Sequence, residues 1–137
     1  MNRRDLQKLT RVRLSEAKAL LDKKLYSGAY YLCGYSLECG LKACIAKQTK
    51  RHDFPDKKLA TDSFTHDLNS LVRVAGLESA LNAELARDAI FSINWAIVKA
   101  WTPQSRYSLQ NATKARNLFK AVDDKTHGVL KWLEPHC

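Results

Sequence analysis

Apolar residues recur along this chain in steps of three and four, and alternating runs of the kind that mark strands are missing. The pattern predicts an all-α fold of four long helices and one short one. Helix one is predicted from Asp5 to Lys24, with Leu6, Leu9, Val12, Arg13, Ala17, Leu20 and Leu21 as its inner stripe and Ser27-Gly28 near its junction with helix two. Helix two runs on to about Lys50. From Gln48 to Phe64 the segment QTKRHDFPDKKLATDSF is highly charged, holds a proline and has no period, so a long, exposed, mobile loop is expected. A short third helix starts near Thr65 or Asp67, which can cap it, and runs through Leu68, Leu71 and Val72 to a stop at Gly76. Helix four spans Glu78 to Trp101, with Leu81, Leu85, Ala89, Ile93, Ala96, Ile97 and Ala100 on one side. It ends at Thr102-Pro103, because a proline disfavours helix in the residue before it. Helix five covers roughly Gln110 to Leu133, with Ala115, Leu118, Phe119, Val122, Val129, Leu130 and Leu133 inside and a bend at Gly128.

Helix two carries two messages. Ala29, Leu32, Cys33, Ser36, Leu37, Gly40, Leu41, Cys44 and Ile45 form a continuous apolar stripe, with small residues where another helix can come close. Tyr31, Tyr35, Glu38 and Lys42 fall within an arc of about 60° at roughly 100° per residue. Two phenols, a carboxylate and an ammonium therefore line up on one side, a row that a purely structural helix rarely needs.

The chain has 137 residues, enough for one domain with a real core and too few for a second. Its basic N-terminal stretch, MNRRDLQKLTRVRL, is followed by no unbroken apolar segment, so neither a secretory signal nor a membrane span is expected. A soluble, cytoplasmic protein with no membrane contact is the expectation. Of the four cysteines, Cys33, Cys39 and Cys44 share helix two, where Cys33 and Cys44 sit about 16 Å apart along the axis. Reduced thiols are expected there, and His136 and Cys137 read as a frayed end. No cysteine pair has the short spacing of a zinc site, so no metal and no cofactor is expected.

The net charge is +9, and it is unevenly spread. Residues 1–25 hold eight basic and three acidic side chains, residues 42–58 six and two, and residues 102–137 six and three. Residues 59–101 reverse the balance, with three basic against five acidic. One basic side and one less charged side fit contact with RNA, DNA or an acidic protein; solvated helix faces with a cationic bias fit equally.

The run SEAKALLDKKLYSGAYYLCGYSLECGLKACIAK, then FTHDLNSL, then a helix ending in WTPQSRYS, then a final amphipathic helix, resembles the HEPN domain. The likeness covers nearly the whole chain. It rests on a tyrosine-rich helix ending in Leu-Glu-x-x-Leu-Lys, on Thr-His-Asp-Leu opening the short helix, and on Arg106-Tyr107 after the fourth helix. The resemblance implies an up-and-down helical bundle, a homodimer, and a place beside a minimal nucleotidyltransferase in a toxin-antitoxin or defence-type two-gene system. Many HEPN members are metal-independent ribonucleases, whose signature is an arginine followed four to six residues later by a histidine. A histidine of near-neutral pKa can move the proton of a ribose 2'-hydroxyl while a guanidinium neutralises the phosphorane. No arginine of this chain has a histidine at that offset. Lys131 and His136 imitate the spacing, but lysine lacks the bidentate fork.

No catalytic residue is therefore assigned. The candidate ligand-binding residues are Tyr31, Tyr35, Glu38, Lys42, His66, Arg106 and Tyr107. Glu38 and Lys42 read either as a helix-surface ion pair contributing about 0.3 to 0.5 kcal/mol or as part of a ligand groove. Tyr31 and Tyr35 either stack on a base or pack against a second subunit. His66 and Asp67 read as caps of the third helix. Trp95 and Trp101, six apart, lie on different faces, one expected in the core and the other against a partner. Arg106 is the best single candidate for contact with an anion. Three functions follow: a non-catalytic module binding a nucleotide, RNA or a nucleotidyltransferase partner; a ribonuclease using Arg106 with Glu38 or His66; and a purely structural dimerisation module.

Overall fold

The computed structural model describes residues 1–48 and 57–137, and among them every regular element is helical. Eight α-helices pack together in chain order: α1 (Arg3–Asp22), α2 (Tyr26–Lys47), α3 (Lys57–Asp62), α4 (Leu68–Val74), α5 (Glu78–Arg87), α6 (Ala89–Lys99), α7 (Ala112–Asp123) and α8 (Val129–Leu133). Short 3-10 turns cover Pro103–Tyr107 and Glu134–His136. No described helix is long and apolar enough to cross a membrane.

α2 is the axle. Thirteen of its 22 residues are buried, on every side of the helix, because α1, α4, α7, α8 and the turn at Pro103–Tyr107 all pack around it. Its small residues set the closeness of that packing. A Cβ on Gly34 would lie 2.2 Å from the Trp101 ring, and one on Gly40 would meet Leu133 Cδ2 at 3.0 Å, so the indole rests directly on the α2 backbone. Both tryptophans of α6 and its end are core residues, Trp95 at 4% and Trp101 at 1% exposure, which corrects the expectation that one meets a partner. Trp95 lies on the inner face of α6, and Trp101 lies just past its end, against the α2 backbone at Gly34.

The predicted fourth helix is two helices. Asp88 has extended backbone angles (φ −129°, ψ 103°), and its Oδ1 accepts hydrogen bonds from the amides of Ile90 and Phe91, capping α6 and ending α5. Its other oxygen lies 2.6 Å from His127 Nδ1. The break resets the helical phase, so Phe91, Trp95 and Val98 face inward while Ala89, Ile93, Ala96 and Ala100 are exposed. The predicted inner stripe of this segment is thereby corrected, and Val12 on α1 is likewise exposed.

The predicted fifth helix is interrupted in the same way. Asp124 Oδ1 accepts from the amides of Thr126 and His127, turning the chain over 124–128 before α8 begins. Asn94 Nδ2 donates to His127 O at 2.9 Å, tying this turn to α6.

Gly76 (φ +73°) ends α4 as predicted, with the Leu77 amide bonded to Val72 O. Asp67 caps that helix through the Asn69 amide. Within the segment read as a loop, residues 57–62 form α3, held by a Lys58–Asp62 pair; residues 49–56 of that loop lie outside the described part. The reading of Cys44 as a reduced thiol and of His136 and Cys137 as a frayed end also needs correction. Val129 and Leu133 are buried and return the chain to α2, where Cys137 joins Cys44 in a disulfide with Cα atoms 4.4 Å apart. Cys33 and Cys39 stay free and buried. Burial, reinforced by Glu38, pushes the Cys39 thiol up to about 11.

Candidate functional site

Glu38 is the centre of the site. The α2 spacing that aligns it with Lys42 also turns it toward the start of α4, and the packing leaves it 2% exposed. Lys42 Nζ donates to Glu38 Oε1 at 3.0 Å, and His66 Nδ1 lies 2.7 Å from the same oxygen. A carboxylate oxygen accepts, so the imidazole proton sits on Nδ1 in this bond and Nε2 is left open. His66 is 58% exposed, which puts that nitrogen at the surface. Glu38 Oε2 is buried with no hydrogen-bond partner among the described residues. A buried unpaired carboxylate oxygen is costly, so Glu38 is poorly explained by stability alone. The reading of His66 as a helix cap is corrected here, since Asp67 does the capping and His66 turns to Glu38.

Seven residues earlier, about 10 Å along α2, the row becomes aromatic. Tyr31 and Tyr35 have ring centroids 6.0 Å apart, and Tyr31 lies 6.2 Å from Trp101. The turn at Pro103–Tyr107, fixed by Pro103 at its start, places Arg106 over the Tyr107 ring with the guanidinium carbon 4.9 Å from the centroid. Interaction with the Tyr107 hydroxyl, and then with Tyr31, raises the Arg106 pKa above its ordinary value. Burial raises the Tyr35 phenol, helped by Cys39 and Glu38 and opposed by Arg13.

All seven predicted residues thus lie along one edge of α2, in two groups. Glu38, Lys42 and His66 form a polar knot; Tyr31, Tyr107 and Arg106 form an aromatic and cationic group, with Tyr35 between them. Arg106 has no carboxylate partner among the described residues and is exposed, as is Tyr107 at 75%. Two contributors escaped the sequence reading. Trp101 walls the aromatic end, and Arg13 on α1 sits close enough to Tyr35 and Cys39 to oppose their pKa shifts. The signal for Arg13 was present as a basic residue inside the apolar stripe of α1.

Chemically, the aromatic end can stack on a flat ring and meet a phosphate, while the knot offers one imidazole nitrogen and an ammonium. No cluster of three or more metal-ligating side chains exists among the described residues. No protein-family model, curated protein or solved structure matches the chain.

Proposed function

We propose that this chain is a HEPN-type helical module that binds a nucleotide or an RNA strand along the edge of α2, without cleaving it. The observation that carries the reading is the exposed Arg106 guanidinium, which has no carboxylate partner among the described residues, lies over the exposed Tyr107 ring and also interacts with Tyr31. A cation beside successive aromatic faces is the arrangement that holds single-stranded nucleic acid. In this reading α1, α2, the broken pair α5 and α6, and the broken pair α7 and α8 are the four rods of an up-and-down bundle. The module acts as a homodimer beside a nucleotidyltransferase in a two-gene system of the toxin-antitoxin or defence type. Titration of a labelled single-stranded oligoribonucleotide tests it: Arg106→Ala and Tyr107→Ala should each weaken binding at least tenfold, in keeping with roughly 1–3 kcal/mol per stacked base.

The geometry of His66 favours a second reading. Its Nδ1 is held by a buried carboxylate while Nε2 is open, which is how a general base is oriented, and Arg106 supplies a cation on the same edge. A metal-independent ribonuclease of that kind would cleave RNA in the presence of a chelator and lose cleavage in His66→Ala. The binding module predicts no cleavage by either protein.

A further inference from the structure

A cleft of about 220 Å³ opens where α1, α2 and α8 meet, and the Cys44–Cys137 disulfide borders it. Gly40, Ala43, Leu130 and Leu133 give it an apolar floor, while Gln7 and Arg11 of α1 add polar groups. The two sulfurs are not equivalent there. Cys137 lines the cleft and is half-buried, whereas Cys44 does not line it and is 3% exposed. We infer that the pair is a site of reversible thiol–disulfide exchange, entered from this cleft, at which a small anionic thiol attacks Cys137 and is joined to it.

Access decides which sulfur of a disulfide is attacked, and here only Cys137 is presented to an incoming thiolate. The thiolate forms a new S–S bond to Cys137 Sγ as the bond to Cys44 breaks. Cys44 keeps the bonding pair and takes a proton from solvent, leaving Cys137 in a mixed disulfide. A second thiolate then attacks the outer sulfur of that mixed disulfide and releases Cys137, which is protonated in turn. Two small thiols are oxidised to their disulfide and the Cys44–Cys137 link is reduced. The same steps run backward in the presence of the small disulfide and close the link again.

The charges around the cleft select the reagent. Arg11 lines it and Arg3 donates to the Cys137 carbonyl, against a single lining carboxylate, Glu134. A net positive surrounding favours a thiolate over its thiol, and a thiol that also carries carboxylates over a neutral one. The other two cysteines do not compete. Cys33 and Cys39 are buried, and burial pushes both thiols up, which keeps them protonated and unreactive. The site lies apart from the Arg106 edge of α2 and does not depend on that edge binding RNA.

The test follows the link in the folded protein at neutral pH, by acid quench, alkylation and intact mass, with glutathione as the anionic thiol and 2-mercaptoethanol as the neutral one. Both should open the link without denaturant. Arg11→Met should slow glutathione several-fold and leave 2-mercaptoethanol unchanged. In a second arm, oxidised glutathione is offered to the two single variants. Cys44→Ser should take up one glutathione roughly tenfold or more faster than Cys137→Ser, with peptide mapping placing it on Cys137. Equal uptake by the two variants, or faster uptake by Cys137→Ser, overturns the proposal. So does a link that opens only once urea has unfolded the chain, which would make the disulfide a purely structural tie. An equal effect of Arg11→Met on both thiols overturns the choice of an anionic reagent.

Discussion

Removing the two ends of the Glu38–Lys42 pair should have unequal costs. The carboxylate is 2% exposed, whereas the lysine side chain is 24% exposed and can carry its ammonium to water when Glu38 is gone. Lys42→Met leaves a buried carboxylate with one unpaired oxygen and only His66 beside it, so it should cost about 3 kcal/mol, the lower end for an uncompensated buried charge. Glu38→Met removes both the buried charge and the orphan oxygen and frees two groups that reach solvent. Its cost should be under about 1 kcal/mol. The double variant should match Glu38→Met, giving a coupling equal to the whole cost of Lys42→Met, about 3 kcal/mol. Urea unfolding of the wild type, both single variants and the double variant at pH 7 measures the cycle. Equal losses in the two single variants, or coupling below about 0.5 kcal/mol, would refute the assignment of Glu38 as a buried charge retained for something other than stability.

Gly34→Ala would drive a methyl into the Trp101 ring, 2.2 Å from two of its atoms and 2.3 Å from a third, and should destabilise the fold by about 2–3 kcal/mol; thermal unfolding reads it directly. The His127 contact, then the amide bonds from α6, hold the Asp88 pKa below its ordinary value. A depressed carboxyl contributes stability above its unfolded pKa of about 4 and loses it as pH falls through the folded value. Asp88→Asn should therefore flatten the fall of stability below about pH 4, and an unchanged acid limb would count against the Asp88–His127 tie. Cys44→Ser opens a link across 93 residues and should lower stability by about 2–4 kcal/mol under oxidising conditions, with no difference from wild type once both are reduced. Intact-mass measurement with and without reductant shows whether the link is formed.

The helical class was legible because apolar spacing alone decides it, and the row on α2 was legible because residues four and three apart share a face whatever surrounds them. The interruptions were not. Ala89 to Ala100 continues the apolar rhythm of Glu78 to Leu85 in sequence, and one aspartate between them is unremarkable until its side chain caps the next helix and meets His127, 39 positions away. The same long-range dependence hid the partner of Glu38. His66 and Glu38 were each singled out, but their contact spans 28 positions and exists only because α4 docks on α2. Cys137 could be paired with Cys44 only once α8 was known to fold back.

The account turns on the edge of α2 as a nucleic-acid surface, and the salt dependence of oligoribonucleotide binding, followed by fluorescence anisotropy for wild type and Arg106→Ala, tests it most directly. The account predicts saturable binding that weakens as salt rises, with lower affinity and a shallower salt slope, by about one phosphate contact, in the variant. Binding that is absent, or that shows the same affinity and slope in both proteins, would contradict it.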